Sequence, residues 1–141
     1  MDSSKLKSTM ESICSQYGWP LGNFYMLADD KLDCAGQEFC LKNPDLGTYQ
    51  TESQKYTFQK GVGLPGRVWQ NLNYEWVDNV QNLDGSKYAR LELAKELVVK
   101  TSLGVPYKQN GIFMGVMEFF DIEERQCDSS MVQDIMKKCD E

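Results

Sequence analysis

The apolar positions of this chain change period several times, and each change marks an element. Leu6, Met10, Ile13, Cys14 and Tyr17 fall on one face of a helix of about four turns. Ser3 or Ser4 is placed to cap it, and Gly18 and Pro20 end it. Residues 23–28 read as a buried strand closed by a turn at Asp29-Asp30-Lys31. Residues 32–41 read as the return strand, weakened where Gly36 interrupts it. Residues 43–54 are polar, contain Pro44 and Gly47, and predict a loop with one helical turn.

The next stretch, Gly-Val-Gly-Leu-Pro-Gly-Arg-Val-Trp at residues 61–69, holds three glycines and a proline, yet runs straight into an amphipathic segment. It predicts a loop feeding a short helix over residues 64–70, approached by an extended piece at 56–59. Pro65 suits the first helical position, where its missing N–H costs nothing. Gly66 lets the first turn come close to another backbone or to a ligand, and Arg67 stands on that same turn. Residues 76–80 read as extended, and Asp84-Gly85 as a turn. Ser86 is placed to cap a helix over residues 87–98, with Tyr88, Leu91, Leu93, Ala94 and Leu97 on its apolar face.

Residues 101–108 read as a strand, and Asn110-Gly111 is the pair that a two-residue type I′ hairpin turn requires. The partner strand, 112–121, carries Ile112, Met114, Val116, Glu118 and Phe120 on one face and Phe113, Gly115, Met117 and Phe119 on the other. Being apolar on both sides, it must be central. Residues 128–140 form a last amphipathic helix, with Met131, Val132, Ile135, Met136 and Cys139 on its stripe. These elements define an α+β fold: a central antiparallel sheet of five or six strands, the N- and C-terminal helices on one face, and the loops and short helices of residues 43–98 over the other.

With 141 residues, 41% hydrophobic, the chain is one domain's worth and large enough for a real core. A formal charge of −6 and no basic cluster argue against a surface that tracks nucleic-acid phosphates. Without an apolar leader or a long apolar run, an intracellular, cytoplasmic protein with no membrane contact is expected. The chain has no histidine, which removes Ser-His-Asp and Cys-His nucleophiles and histidine-based metal sites. Five cysteines, an odd number without a Cys-x-x-Cys pair, do not form a secreted disulfide framework.

In order, the blocks are GVGLPGRVW, WVDNV from Trp76, Arg90 with Ala94, SLGVPY from Ser102 and GVMEFFD from Gly115. Together with ICSQYGWPLGNFYML from Ile13, this series resembles a GAF domain of the subtype found beside signalling outputs. It is also similar to the GAF-like part of the plant nodule-inception-like nitrate regulators. The resemblance covers about residues 10 to 136. It implies a regulatory, non-catalytic sensor that binds a small molecule beneath the second face. Its pocket walls would include Leu64, Pro65, Gly66, Arg67, Trp69, Trp76, Tyr88, Arg90 and Glu118. The alternative is an interaction or dimerisation module with a filled pocket, meeting a second copy or a partner through residues 4–17 and 128–140.

Each candidate has a structural reading beside the functional one. Arg67 could hold an anionic ligand, or pair with a carboxylate such as Glu118 and fasten the loop to the sheet. Glu118, in so apolar a strand, needs a partner or a raised pKa. Trp69 and Trp76 could stack on a flat ligand or fill the core; Arg90 could contact ligand, or be solvated or salt-bridged. A third function, the free methionine-(R)-sulfoxide reductase chemistry of this fold, would need thiols at the pocket. Cys34 and Cys40 could exchange a disulfide, but residues 60–121, where those reductases keep their catalytic cysteines, contain none. Cys14 and Cys139 lie on apolar stripes, inert or in a redox-sensitive dimer contact. No cofactor is identifiable; no cysteine precedes a histidine as covalent bilin attachment requires, and a cyclic-nucleotide arrangement is not found.

Overall fold

The computed structural model describes residues 1–34 and 39–140. Helix α1 spans Ser3–Tyr17, and its cap is Asp2 rather than a serine: the Asp2 carboxylate accepts from the Lys5 amide at 3.2 Å. Gly18, at φ +69°, closes the helix in the left-handed conformation that a glycine takes most readily. Strand β1 is Leu21–Ala28. The return run makes two strands: β2, Lys31–Asp33, pairs with the far half of β1, and β3, Phe39–Leu41, with its first three residues. Gly36, expected to weaken that run, lies outside the described residues.

Helix α2, Gly47–Ser53, replaces the expected single turn, and a two-residue strand β4, Thr57–Phe58, pairs with β2. Helix α3 spans Gly63–Asn71, so Pro65 stands at its third position, still among the amides that have no intrahelical partner. Strand β5 is Glu75–Val77, helix α4 only Leu91–Glu96, and the hairpin strands β6 and β7 are Thr101–Gln109 and Ile112–Asp121. Helix α5, Ser129–Lys138, is capped by Asp128, which accepts from the Met131 amide. The path β4-β2-β1-β7-β6-β5, with β3 also on β1, gives an antiparallel sheet of seven strands.

Strand β7 lies between β1 and β6, as its two apolar faces demand. The turn is the expected one, with Asn110 and Gly111 both at positive φ and Gln109 opposite Ile112. Alternation along β7 is broken, however. Tyr107 faces Gly115 and Lys108 faces Phe113, so Met114 is an extra residue in a β-bulge. Met114 therefore packs with the terminal helices and Phe113 with the opposite layer, the reverse of the simple two-residue period.

Two cores result. Leu6, Met10 and Ile13 of α1 and Val132 and Ile135 of α5 cover Leu103, Val105, Met117 and Phe119 on one face. On the other face, Leu46, Tyr49, Leu64, Val68, Tyr88 and Ala94 cover Tyr25, Val116 and Phe120. The predicted helix over 87–98 forms only in its second half, for a physical reason. Tyr88 and Arg90 both point inward, and residues two apart stand on opposite sides of a helix. Ser86 meanwhile hydrogen-bonds the Asp84 carboxylate and so does not act as a helix cap.

Candidate functional site

Under the loops of the second face lies a polar cluster within an apolar layer. Glu118 on β7 accepts from Arg90 Nη2 at 2.8 and 3.0 Å, and from Ser102 Oγ at 2.5 Å. Ser102 sits on the neighbouring strand β6, while Arg90 reaches down from the turn that precedes α4. Arg90 Nη1 also donates to the Tyr25 hydroxyl at 2.6 Å. Solvent reaches neither side chain of the ion pair.

The guanidinium is held in an aromatic cage. Its carbon lies 4.8 Å from the Tyr88 ring centre, 5.1 Å from Phe58, 5.4 Å from Phe120 and 5.5 Å from Tyr25. Such faces attract a desolvated cation through their quadrupoles. Tyr49 of α2 packs edge-on against Phe120, and its hydroxyl meets that of Tyr88, joining α2 to the Arg90 segment. Burial costs the Arg90 charge, but Glu118 outweighs it, so the group stays protonated. Burial raises the pKa of Glu118 against the opposing pull of Arg90 and Ser102. It also holds Tyr25 and Tyr88 well above the usual phenol value and moves Tyr49 to about 12, so all three hydroxyls remain donors.

Several buried polar atoms in this layer have no hydrogen-bond partner among the described residues. They are Arg90 Nε, both side-chain atoms of Asn23, and Ser53 Oγ. Asn23 stands directly across from Glu118 in the sheet, and two residues from Tyr25 on the same strand face. Ser53 is one helical turn beyond Tyr49 on α2. An unpaired buried amide or hydroxyl typically costs about 1–3 kcal/mol.

The expected pocket walls divide into separate groups. Tyr88, Arg90 and Glu118 come together in this cluster. Arg67 does not join Glu118: it forms a two-bond fork with Glu75 on β5, at 2.9 and 2.6 Å, and donates to the Lys87 carbonyl at 2.7 Å. The sequence suggested the wrong carboxylate because β5 passes close to α3, while Arg90 fills the space over Glu118. Leu64, Pro65 and Gly66 are buried. A side chain at Gly66 would come within 2.3 Å of the Gln59 carbonyl, so its close approach is to backbone. Trp69 is half-buried beneath Lys60. Trp76 packs in the other layer, edge-on to Trp19, with its indole N–H donating to Asp78 and to the Arg125 carbonyl.

Asn23, Tyr25, Tyr49, Phe58, Ser102 and Phe120 complete the cluster, and sequence reasoning missed their role. Alternation along 23–28 does put Asn23 and Tyr25 on one face, but only the register of β1 on β7 reveals that this face carries Glu118. The thiols lie apart from the expected exchange. Cys34 is buried in this layer, and burial pushes its pKa up to about 12, which keeps it a thiol rather than a nucleophile. Cys40 is in the other layer, against α1.

A curved antiparallel sheet, with its terminal helices on one face and short helices over the other, is the GAF fold, and this chain has it. The GAF domain of phosphoenolpyruvate-protein phosphotransferase from Acinetobacter superposes with a TM-score of 0.71 at 17% identity, over 97% of this chain and 76% of that one. A free methionine-R-sulfoxide reductase from Thermoplasma acidophilum gives 0.72 at 13% identity, over 98% of this chain and 86% of that one. NreA from Staphylococcus aureus, mutated in its nitrate binding site, gives 0.72 at 16% identity over 100% of both chains. No family model matches the sequence. Among curated proteins the chain is similar to Protein NLP7 of Arabidopsis thaliana, 33% identical over 107 residues, which are 68% of this chain and 11% of that protein. The matched part is between 9% and 21% of the length of these curated relatives. Among the described residues, no helix is long and apolar enough to cross a membrane.

Proposed function

We propose that this domain is a non-catalytic regulatory module that binds a small polar ligand, most simply an oxyanion, in the layer around Arg90. One observation carries the reading: the unpaired Arg90 Nε and Asn23 amide, buried beside Glu118 on one face of the sheet. Arg90 Nε and Asn23 Nδ2 supply N–H donors, Ser53 supplies a hydroxyl, and a compact ligand rich in acceptors would satisfy these donors, though not the Asn23 Oδ1 acceptor. The Glu118 carboxylate already balances the guanidinium charge, which favours a weakly hydrated, singly charged ligand over a phosphate dianion. Nitrate has that chemistry, and the fold is shared with NreA, a protein described with a nitrate binding site.

Access requires the cover to move. The Tyr49–Tyr88 hydroxyl contact closes it, and the segment between Asp84 and Val99 contains only the six-residue helix α4. Occupancy would therefore change how α2 and the Arg90 segment sit on the sheet, which a partner or adjoining domain could read. Reductase chemistry is less well supported, since the one cysteine of this layer, Cys34, is held protonated by burial. Docking through residues 4–17 and 128–140 also draws less support. Leu6, Met10, Ile13, Val132 and Ile135 are all spent on the sheet.

Isothermal titration of the protein with nitrate, and with other small oxyanions, tests the proposal. It predicts saturable binding of one ligand per chain for at least one of them. No heat from any of these at millimolar concentration would overturn the oxyanion reading.

A further inference from the structure

Away from the Arg90 layer, a second chemically competent pair lies under the first helix. Cys14 projects from α1 onto the sheet at Gly22, where a side chain would come within 3.1 Å of its Sγ. Gly22 is the direct cross-strand partner of Cys40 on β3, and its missing Cβ leaves the space into which Cys14 fits. Residues paired in this way have side-chain positions about 5 Å apart, so the two thiols share one small gap. Both thiols are buried in the same layer, between α1 and the sheet. The Cys40 thiol also lies 3.4 Å from the Glu11 carboxylate, which is itself paired with Lys42 at 2.8 Å. Cys14 and Lys42 both line an open cleft of about 440 Å³, shared with Ser15, Gly18, Trp19 and Asn43.

We infer that Cys14 and Cys40 form an oxidisable dithiol site whose co-reactant is hydrogen peroxide, closing to a disulfide that ties α1 to β3. Cys40 is the attacking group. The neighbouring Cys14 thiol draws the Cys40 pKa below the usual thiol value against the opposing pull of burial and Glu11, while Cys40 and burial push the Cys14 pKa up. The Cys40 thiol first loses its proton to solvent past Glu11. Its thiolate attacks one peroxide oxygen, the O–O bond breaks, and the departing hydroxide takes up a proton as water, leaving a sulfenic acid. Cys14 then attacks the Cys40 sulfur; its S–H proton and the sulfenic hydroxyl leave as a second water. In sum, two thiols and one hydrogen peroxide give one disulfide and two waters, with two electrons passing from sulfur to oxygen.

Intact-mass analysis and non-reducing peptide mapping of the whole chain, after brief exposure to peroxide and alkylation of the remaining thiols, test this. The expected result is the loss of two hydrogens, a cross-linked Cys14–Cys40 peptide pair, and recovery of both thiols with a dithiol reductant. Cys127→Ser, which removes the exposed cysteine, is expected to leave the yield unchanged. In Cys14→Ala, dimedone should trap the sulfenic acid on Cys40. A cross-link joining other cysteines, oxygen atoms accumulating on Cys40 of the wild type without a disulfide, or five thiols still open to alkylation would each overturn the site.

Discussion

Arg90 and Glu118 face each other at 2.8 Å in a layer that water does not reach, and the rest of the second face is arranged around them. The pair is a strong constraint on local structure. To reach Glu118, Arg90 must leave helical geometry, which confines α4 to Leu91–Glu96. Removing one partner leaves the other charge buried alone, so Glu118→Ala or Arg90→Ala should cost about 3–5 kcal/mol in urea denaturation. The double variant Arg90→Met, Glu118→Gln should recover most of that loss, because no unpaired charge remains. Equal destabilisation in the double variant would show that packing, rather than charge pairing, dominates.

Arg67 and Glu75 give the contrasting case. Their side chains are about a quarter exposed, at 24% and 28%, and their fork ties α3 to β5. Arg67→Ala should therefore lower stability by only about 1 kcal/mol or less and leave any ligand response intact. If Arg67→Ala instead abolished binding, the ligand would sit at the start of α3 rather than at Arg90.

The sequence made the architecture readable where local rules and tertiary demands agree. Asn110-Gly111 defined the hairpin, the spacing of Leu6, Met10 and Ile13 defined α1, and apolar residues on both faces placed β7 at the centre. It misled where a long-range contact overrides a local preference. Ser86 resembles a helix cap but binds Asp84, and the bulge at Met114 reverses the faces of two residues. Arg90, Tyr88 and Glu118 were legible as candidates. Their pairing was not, because two arginines competed for one carboxylate and only the fold decides between them.

Gly66 tests the tight joint between the glycine loop and α3. The Gly61 amide donates to the Gly66 carbonyl at 2.8 Å, and a Cβ on Gly66 would overlap the Gln59 carbonyl, a backbone atom that cannot swing aside. Gly66→Ala should destabilise by about 1–3 kcal/mol. Gly85→Ala, where nothing lies within 4 Å, should stay within about 0.5 kcal/mol. Chemical denaturation of the two variants side by side checks the difference.

Cys34 gives the protein an alkaline dependence. Its ordinary pKa of 9.0 rises to about 12 on folding because burial disfavours the thiolate. Over that range the folded chain keeps a proton that the unfolded chain releases, so stability is full below pH 9 and falls as pH climbs toward 12. The wild type should lose up to about 1.4 kcal/mol per pH unit more than Cys34→Ala there. Parallel denaturation curves above pH 9 would remove Cys34 from the account.

Asn23 bears most directly on the central claim. Replacing it with leucine, which has the same number of side-chain heavy atoms and the same branching, removes two unpaired buried polar atoms, so Asn23→Leu should be more stable than the wild type without ligand, by about 1–2 kcal/mol. The measurement to make is the melting temperature of both proteins across a concentration series of nitrate and other small oxyanions. The account predicts a saturable rise in the wild type that is lost in the more stable Asn23→Leu. A rise of equal size in both proteins, or none in the wild type, would contradict a ligand site at Arg90 and Asn23.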